Sequence, residues 1–199
     1  VDLNSVLDEI LLLHEKQLKE NDINISITFA QGMSLVVASK NQLRQVFLNM
    51  VANARDAMPD GGHLTISVDR VFSDGGSTDG LVDLQPGDYV RLTVADDGPG
   101  IDAEVRGHLF EPFFTTKGVG QGTGLGLSTV YGIVKGHEGH ISCYSEKGRG
   151  TTFTIYLPSA DVEAEKSGAE EERDIIGGNE TVLIVDDEKP IRELARRML

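Results

Sequence analysis

The chain has 199 residues, 39% of them hydrophobic and 25% charged, which suits one globular domain of roughly 150 residues with an additional segment. Its formal net charge of -14 argues against a nucleic-acid binder, because neutralising phosphates requires clustered Lys and Arg. No apolar run approaches the roughly 20 residues of a membrane span, no leader opens the chain, and one cysteine cannot form an internal disulfide, so we expect a cytoplasmic fragment without membrane contact.

Two kinds of hydrophobic pattern alternate along residues 1–158. Apolar residues spaced three and four apart, typical of a helix face, predict helices over 3–20, 41–58 and 125–136. Alternating or β-branched apolar runs predict strands over 23–29, 64–68, 89–94, 139–146 and 151–157. This order of elements predicts an α+β fold, a two-layer α/β sandwich in which a mixed, mostly antiparallel sheet carries helices on one face.

The helix predicted at 41–58 carries polar residues on its shoulder. Asn49, Asn53 and Asp56 follow one another at spacings of four and three, so they share a face about 120° from the apolar stripe. Asn is a poor helix former, and an amide oxygen is a hard ligand suited to a Mg²⁺ ion that is shared with substrate phosphates. Taken alone, the same residues are better explained as an ordinary solvated face.

The strand predicted at 89–94 continues into an acidic, glycine-rich turn. Asp96 has the same parity as Val90 and Val94, so it points to the apolar face, where an ionised carboxylate is costly unless it is paired. The two glycines of the turn Asp96-Asp97-Gly98-Pro99-Gly100 allow close approach by a flat ligand. A hydrogen bond from the exocyclic amine of adenine to the carboxylate would remove the cost of leaving it unpaired. A capped turn at the end of a strand is the alternative interpretation.

A second glycine-rich segment precedes the last predicted helix. Every second residue from Gly118 to Gly126 is glycine, and free backbone amides at a helix N-terminus can bind an anion. The pattern is neither a Rossmann fingerprint nor a P-loop, and a merely flexible loop is the alternative. Just before it, the segment 110–117 places three aromatic residues in a loop, where they clamp a ligand or pack a hinge. Lys117 either reaches a phosphate or stays solvated.

Together, four motifs resemble in order and spacing the N, G1, F and G2 boxes of the ATP-binding domain of sensor histidine kinases. They are Asn49–Ala54 (NMVANA), Asp96–Ile101 (DDGPGI), Phe110–Lys117 (FEPFFTTK) and Gly120–Leu127 (GQGTGLGL). The resemblance extends over residues 1–158, and NxxxNAxxAM with a short FEPFFTTK lid is similar to kinases of the nitrogen-regulation type. It implies the Bergerat ATP-binding fold shared with gyrase, the mismatch-repair ATPases and the large chaperone ATPase.

The resemblance implies a role for each matching residue. Asn49 and Asn53 would be the catalytic pair and hold Mg²⁺, Asp96 would accept from adenine, and residues 110–126 would form a mobile lid over the phosphates. The implied ATP-binding residues are Asn53, Asp56, Asp96, Gly98, Gly100, Ile101, Phe110, Thr116, Lys117, Gly120, Gly122, Thr123, Gly124, Leu125 and Gly126. Asn49 stands where ATP-hydrolysing branches carry a Glu general base, and an amide cannot take a proton from water, which favours transfer over hydrolysis.

The resemblance also implies partners for this domain. The phosphoacceptor histidine would lie on a helical hairpin that is absent from this chain. Residues 159–179 are predicted to be an acidic linker, and residues 180–199 resemble the start of a response-regulator receiver domain, which predicts a hybrid kinase. The predicted function is to bind Mg-ATP and donate the γ-phosphoryl group to that histidine. An ATPase or serine kinase of the same fold, and a non-catalytic nucleotide-sensing module, are the alternatives.

Overall fold

A computed structural model describes residues 1–29, 34–75, 77–78, 82–117 and 122–160. The linker and receiver start predicted after residue 160 therefore lie outside the described residues. The described helices are α1 Leu3–Glu20, α2 Lys40–Ala57, α3 Ala103–Arg106 and α4 Gly126–Gly136. The described strands are β1 Ile23–Phe29, β2 Gly62–Ser73, β3 Ser77–Thr78, β4 Val82–Asp83, β5 Gly87–Asp96, β6 His140–Glu146 and β7 Gly150–Pro158.

The five long strands form one sheet in the order β1-β2-β5-β7-β6. β1 runs parallel to β2, and the remaining neighbours are antiparallel. α2 connects the two parallel strands, because such a pair needs a crossover rather than a tight turn. The predicted α+β class with a mixed, mostly antiparallel sheet is confirmed.

The main core lies between one face of the sheet and α1, α2 and α4. α2 contributes an uninterrupted stripe of buried residues from Leu43 to Ala54, including Phe47, which is 1% exposed. Burying each large side chain of this kind contributes about 1.5–3 kcal/mol, so the stripe fixes how α2 is rotated on the sheet. Asn49, Asn53 and Asp56 are thereby turned toward the side of α2 that faces a cavity.

The opposite face of the sheet is more polar. Asp69 on β2 accepts two hydrogen bonds from Arg91 on β5, each 2.9 Å long. A small cluster of Leu84, Tyr89 and Tyr156 covers part of this face. Within the described part of the chain, no helix is both long and apolar enough to cross a lipid bilayer.

Candidate functional site

A cavity of about 800 Å³ lies beside α2, at the ends of β5 and β7, and beneath the segments on either side of residues 118–121. This volume is within the range of small-molecule sites, roughly 300–1,000 Å³. The predicted site residues that line it are Asn49, Asn53, Asp56, Asp96, Gly100, Ile101, Thr116, Lys117, Gly122, Thr123, Gly124 and Gly126. Motifs that are up to 77 residues apart in the sequence thus meet around one space.

Asp96 ends β5 with its carboxylate half-buried. Burial raises the pKa of Asp96, and hydrogen bonds from the backbone N–H groups of Gly98 and Thr151 oppose that rise. The bond from Gly98 is 3.0 Å long. Val94 and Phe153, which pair across β5 and β7, line the cavity on the same side. A carboxylate acceptor beside an apolar wall can bind the N–H edge of a flat heterocycle.

The turn after Asp96 is held from two directions. Asp97 accepts a 2.7 Å hydrogen bond from the backbone N–H of His63 at the start of β2. The backbone N–H of Ile101 donates to the hydroxyl of Ser145 on β6, 2.8 Å away, and that hydroxyl donates to the Gly150 carbonyl at 2.9 Å. Ser145 is only 5% exposed. These bonds fix the turn in one conformation and so orient the Asp96 side of the cavity before a ligand binds.

The two asparagines of α2 face the first turn of α4. The side-chain amide of Asn49 donates to the Gly126 carbonyl at 3.2 Å. A Cβ atom placed on Gly126 would lie 3.9 Å from Oδ1 of Asn49 and 4.0 Å from Oδ1 of Asn53. The amide nitrogen of Asn53 is buried and has no hydrogen-bond partner among the described residues. Leaving a buried donor unpaired costs about 1–3 kcal/mol, so a ligand that accepts from it would remove this cost.

The donor set on this side of the cavity also fits a magnesium ion. Across the part of the chain that the structure covers, no three or more His, Cys, Asp and Glu side chains converge as a metal site. The oxygens of Asn49 and Asn53 are hard ligands, and Mg²⁺ commonly takes few protein ligands while keeping waters and substrate phosphate oxygens. A cation here would therefore bind together with a phosphorylated ligand.

A backbone hydrogen bond joins the two segments that flank residues 118–121. The backbone N–H of Phe113 donates to the Gly124 carbonyl at 3.0 Å. Gly124 has a φ of +66°, and a Cβ atom there would lie 2.4 Å from the carbonyl carbon of Phe113. Only glycine accommodates both the left-handed conformation and this approach. Phe113 itself has a φ of 65° and leaves 75% of its side chain exposed.

An ion pair connects α2 with the segment before residue 118. The ammonium of Lys117 lies 2.6 Å from Oδ2 of Asp56, and Arg55 donates to Oδ1 of the same carboxylate at 2.8 and 3.1 Å. Burial alone would raise the pKa of Asp56, but the bonds from Lys117 and Arg55 outweigh it and lower the pKa. The carboxylate is therefore ionised near neutral pH.

Some predicted site residues do not line the cavity. Phe110 packs against the core and against the ring of Tyr131, with 5.4 Å between ring centroids, so any part it takes in ligand binding is indirect. Gly98 contacts the site through the hydrogen bond that its backbone N–H donates to Asp96, and the backbone N–H of Leu125 is not free to donate to a ligand because it already donates to Thr123 Oγ1 at 3.3 Å. Gly120 lies outside the described residues.

Other lining residues were missed from the sequence. Thr151 and Phe153 on β7, and Leu109 before the aromatic segment, face the cavity without belonging to any predicted motif. The pairing of Asp96 with Thr151 and of Val94 with Phe153 brings β7 to the site. Strand register would have revealed them, but alternation in a single strand does not give register with its neighbour.

Comparison with known proteins finds a matching family model and similar sequences. Residues 38–161 match the family model described as histidine kinase-, DNA gyrase B-, and HSP90-like ATPase. Sensor kinase CckA of Brucella abortus (strain 2308) is 42% identical over 201 residues, which cover 96% of this chain and 21% of that protein. The chain therefore spans about a fifth of this relative's length.

Solved structures give the same result for the fold. The nucleotide-free catalytic domain of histidine kinase ThkA aligns with a TM-score of 0.65 and 29% identity, covering 80% of this chain and 93% of that one. Full-length ShkA in complex with AMPPNP aligns with a TM-score of 0.64 and 28% identity, covering 80% of this chain and 30% of that one.

Proposed function

Because this chain belongs to the family of histidine kinase-, DNA gyrase B- and HSP90-like ATPases, we propose that it is the ATP-binding part of a sensor histidine kinase. It binds Mg-ATP and donates the γ-phosphoryl group to a histidine on a helical hairpin of the longer protein. The observation that carries this proposal is one cavity lined by both a half-buried carboxylate, Asp96, and an asparagine pair, Asn49 and Asn53. These groups suit a base and a metal-bound polyphosphate, respectively.

The adenine ring would bind on the β5 side of the cavity. The Asp96 carboxylate would accept from the exocyclic amine, while Val94 and Phe153 contact the faces of the ring. The raised pKa of Asp96 supports this assignment, because burial without a full set of partners is the condition that a bound amine would relieve. The binding of AMPPNP by ShkA, a relative in structure, also supports an adenine nucleotide as the ligand.

The phosphates would lie on the α4 side. The first N–H groups of a helix have no partner within the helix and carry partial positive charge, so the start of α4 at Gly126 favours an anion. The unpaired amide nitrogen of Asn53 would donate to a phosphate oxygen, and its carbonyl oxygen, with that of Asn49, would hold Mg²⁺. A cation held by these two residues would neutralise phosphate charge during transfer of the γ-phosphoryl group.

The side chain at position 49 favours phosphoryl transfer over hydrolysis of ATP, because it cannot take a proton from a water molecule. Asn49 occupies the helical position one turn before Asn53, and its amide donates to the Gly126 carbonyl, so it cannot serve as a general base. The chain's own contribution is to orient and neutralise the phosphates, which accounts for most of phosphoryl-transfer catalysis.

The finer parts of the prediction belong to the same proposal. The FEPFFTTK segment supports a kinase of the nitrogen-regulation type. The alignment with CckA covers 96% of this chain, so it extends beyond residue 158 into the segment predicted to be a linker and a receiver start. We propose that residues 159–179 are a linker, that residues 180–199 begin a receiver domain of a hybrid kinase, and that this part of the protein acts in the cytoplasm. The hairpin and the receiver would be its partners in two-component signalling.

The test separates nucleotide binding from transfer. The 199-residue chain should bind Mg-ATP but neither hydrolyse it rapidly nor label itself with γ-³²P-labelled ATP. Adding the phosphoacceptor hairpin of a related kinase should yield a labelled hairpin whose label is acid-labile and base-stable, as phosphohistidine is. The Asn53→Ala variant should abolish this label.

Each alternative has its own result in the same experiment. Rapid ATP hydrolysis by the isolated chain would indicate an ATPase. An acid-stable label on the chain itself would indicate a serine or threonine acceptor. Tight Mg-ATP binding with no transfer to any hairpin would indicate a nucleotide-sensing module.

A further inference from the structure

Resting on the proposed function, we infer that Asp56 is a positioning residue. It binds the ammonium group of Lys117 in the nucleotide-free domain and releases it when a nucleoside triphosphate binds, so that Lys117 then contacts the phosphates. The Lys117 ammonium and the Asp56 carboxylate are 2.6 Å apart and come from segments 61 residues apart in the sequence. Both residues line the cavity. The ion pair therefore lies where polyphosphate binding is proposed.

Lys117 is the only cationic residue among the described residues that line the cavity. The other charged lining residues are Asp56 and Asp96, so the described lining has a net negative charge. A nucleoside triphosphate brings several further negative charges to this space. Repulsion between like charges in a partly buried site is strong, so binding favours any movement that turns Lys117 toward the phosphates.

The backbone of Lys117 is held while its side chain extends along the cavity. Its N–H donates to Thr115 Oγ1 at 3.1 Å. Its aliphatic stem packs against Gly122, where an added Cβ atom would lie 3.2 Å from Cδ and 3.5 Å from Cβ of Lys117. Because the backbone and the aliphatic part of Lys117 are held by these contacts, reorienting the ammonium group requires only rotation of the terminal side-chain bonds.

Asp56 remains paired when Lys117 leaves. Lys117 donates to Oδ2, whereas Arg55 donates to Oδ1 through two of its nitrogens, at 2.8 and 3.1 Å. The two cations therefore use different oxygens of one carboxylate. Removing Lys117 leaves no uncompensated charge in a side chain that is only 32% exposed, so the transfer is far less costly than breaking an isolated pair.

The release of Lys117 from Asp56 affects how tightly the site binds a nucleotide and which nucleotides it selects. Breaking the bond to Asp56 subtracts from the affinity of every ligand that recruits Lys117, and only a ligand with enough phosphates compensates for it. Asp56 therefore weakens nucleotide binding, and it does so through Lys117. AMP, whose single phosphate lies next to the ribose, should not recruit Lys117.

A double-mutant cycle tests the coupling between these two residues. Asp56→Asn, Lys117→Gln and the double variant are made in the 199-residue chain, and ATP and AMP affinities are measured by calorimetry with Mg²⁺ present. Releasing a partly exposed ion pair should strengthen ATP binding by roughly twofold to fivefold in Asp56→Asn. The same substitution should have no effect on ATP binding in the Lys117→Gln background, and none on AMP binding in either background.

The pair between Glu9 on α1 and Lys40 on α2 is the matched control. It is also 2.6 Å long, its carboxylate also contacts an arginine, Arg44, and neither partner lines the cavity. Glu9→Gln and Lys40→Gln make the same changes of charge, so both should leave ATP affinity unchanged. Melting temperatures of all variants show whether the fold is retained.

Three outcomes would overturn the inference. An equal gain in ATP affinity with and without Lys117 would mean that Asp56 simply repels phosphate. A loss of affinity in Asp56→Asn would mean that Asp56 holds Lys117 in its binding position and does not release it. A gain for AMP as large as that for ATP would exclude a role for the distal phosphates. Failure of the unaltered chain to bind ATP would overturn the proposed function itself, which distinguishes the two.

Discussion

Replacing the Asp96 carboxylate with the amide of asparagine tests the proposed adenine contact. The substitution keeps an oxygen that can accept from the backbone N–H groups of Gly98 and Thr151, so the turn should be retained. The amide would present a donor or a weaker, uncharged acceptor to the exocyclic amine. Losing a charge-assisted hydrogen bond costs about 1.5–3 kcal/mol, which corresponds to a loss of roughly tenfold to a hundredfold in ATP affinity.

The same substitution should change stability in the opposite direction. Burial raises the pKa of Asp96 above its ordinary value of 3.8, so the folded chain binds the proton more readily than the unfolded chain does. Stability contributed by this group is complete below the unfolded pKa and is lost as the pH rises through the raised, folded pKa. Asp96→Asn removes that loss, so the variant should melt at a higher temperature than the unaltered chain near pH 7. The difference should shrink in acid.

Calorimetric titration with ATP and GTP, and thermal melting across a pH series, measure both effects. GTP should bind poorly to the unaltered chain because its ring carbonyl would face the carboxylate. Asp102→Asn is the control, because Asp102 pairs with Lys147 outside the cavity lining and should not affect ATP affinity. Equal affinities for ATP and GTP, or an Asp96→Asn variant that binds ATP as well as the unaltered chain, would refute the assignment of Asp96 to adenine.

Other residues provide further tests. Gly124→Ala should destabilise the domain by about 1–2 kcal/mol or more, because the new Cβ atom would meet Phe113 and the backbone φ is positive. Gly132→Ala is the control within α4: a Cβ atom there has nothing within 4 Å, so the substitution should stabilise the domain by about 0.5–1 kcal/mol. Chemical denaturation measures both free energies of unfolding, and equal effects would contradict the close approach of Gly124 to Phe113. Asn53→Ala should remove most of the dependence of ATP affinity on Mg²⁺, and calorimetry with and without the cation would detect an unchanged dependence. Residues 110–117 should exchange backbone hydrogens rapidly without nucleotide and slowly with Mg-ATP, and slow exchange in both states would exclude a lid there.

Local sequence patterns were sufficient to predict the five strands of the main sheet and the helices α1, α2 and α4, but not α3 or the short strands β3 and β4. The stripe from Leu43 to Ala54 could orient α2 because burial follows the helical period. Alternation along β5 placed Asp96 on the same face as buried Val94. These predictions depend on a single element each, and the structure has all of them.

Contacts between distant segments could not be predicted in the same way. The pairing of Lys117 with Asp56 depends on how the end of the aromatic segment lies over α2, and no periodicity encodes that. Ser145 holds the turn after Asp96 through Ile101, yet in the sequence it is one serine in a strand. The aromatic segment was predicted to clamp a ligand or to pack a hinge, and the sequence did not show that Phe110 packs against Tyr131. Register and packing, rather than composition, determine these contacts.

The position of β7 in the sheet has a consequence for how the chain folds during synthesis. β7 is the last described strand along the sequence, but it lies between β5 and β6 rather than at an edge. Until the residues up to Pro158 have left the ribosome, β7 cannot join the sheet. During that time β5 pairs with β2 on one side and has an unpaired edge on the other. An open apolar edge of this kind invites association with other chains, so a nascent chain halted before β7 should depend on chaperones. Thr151 and Phe153 arrive with the same strand, and the wall of the cavity is therefore completed only when the sheet closes.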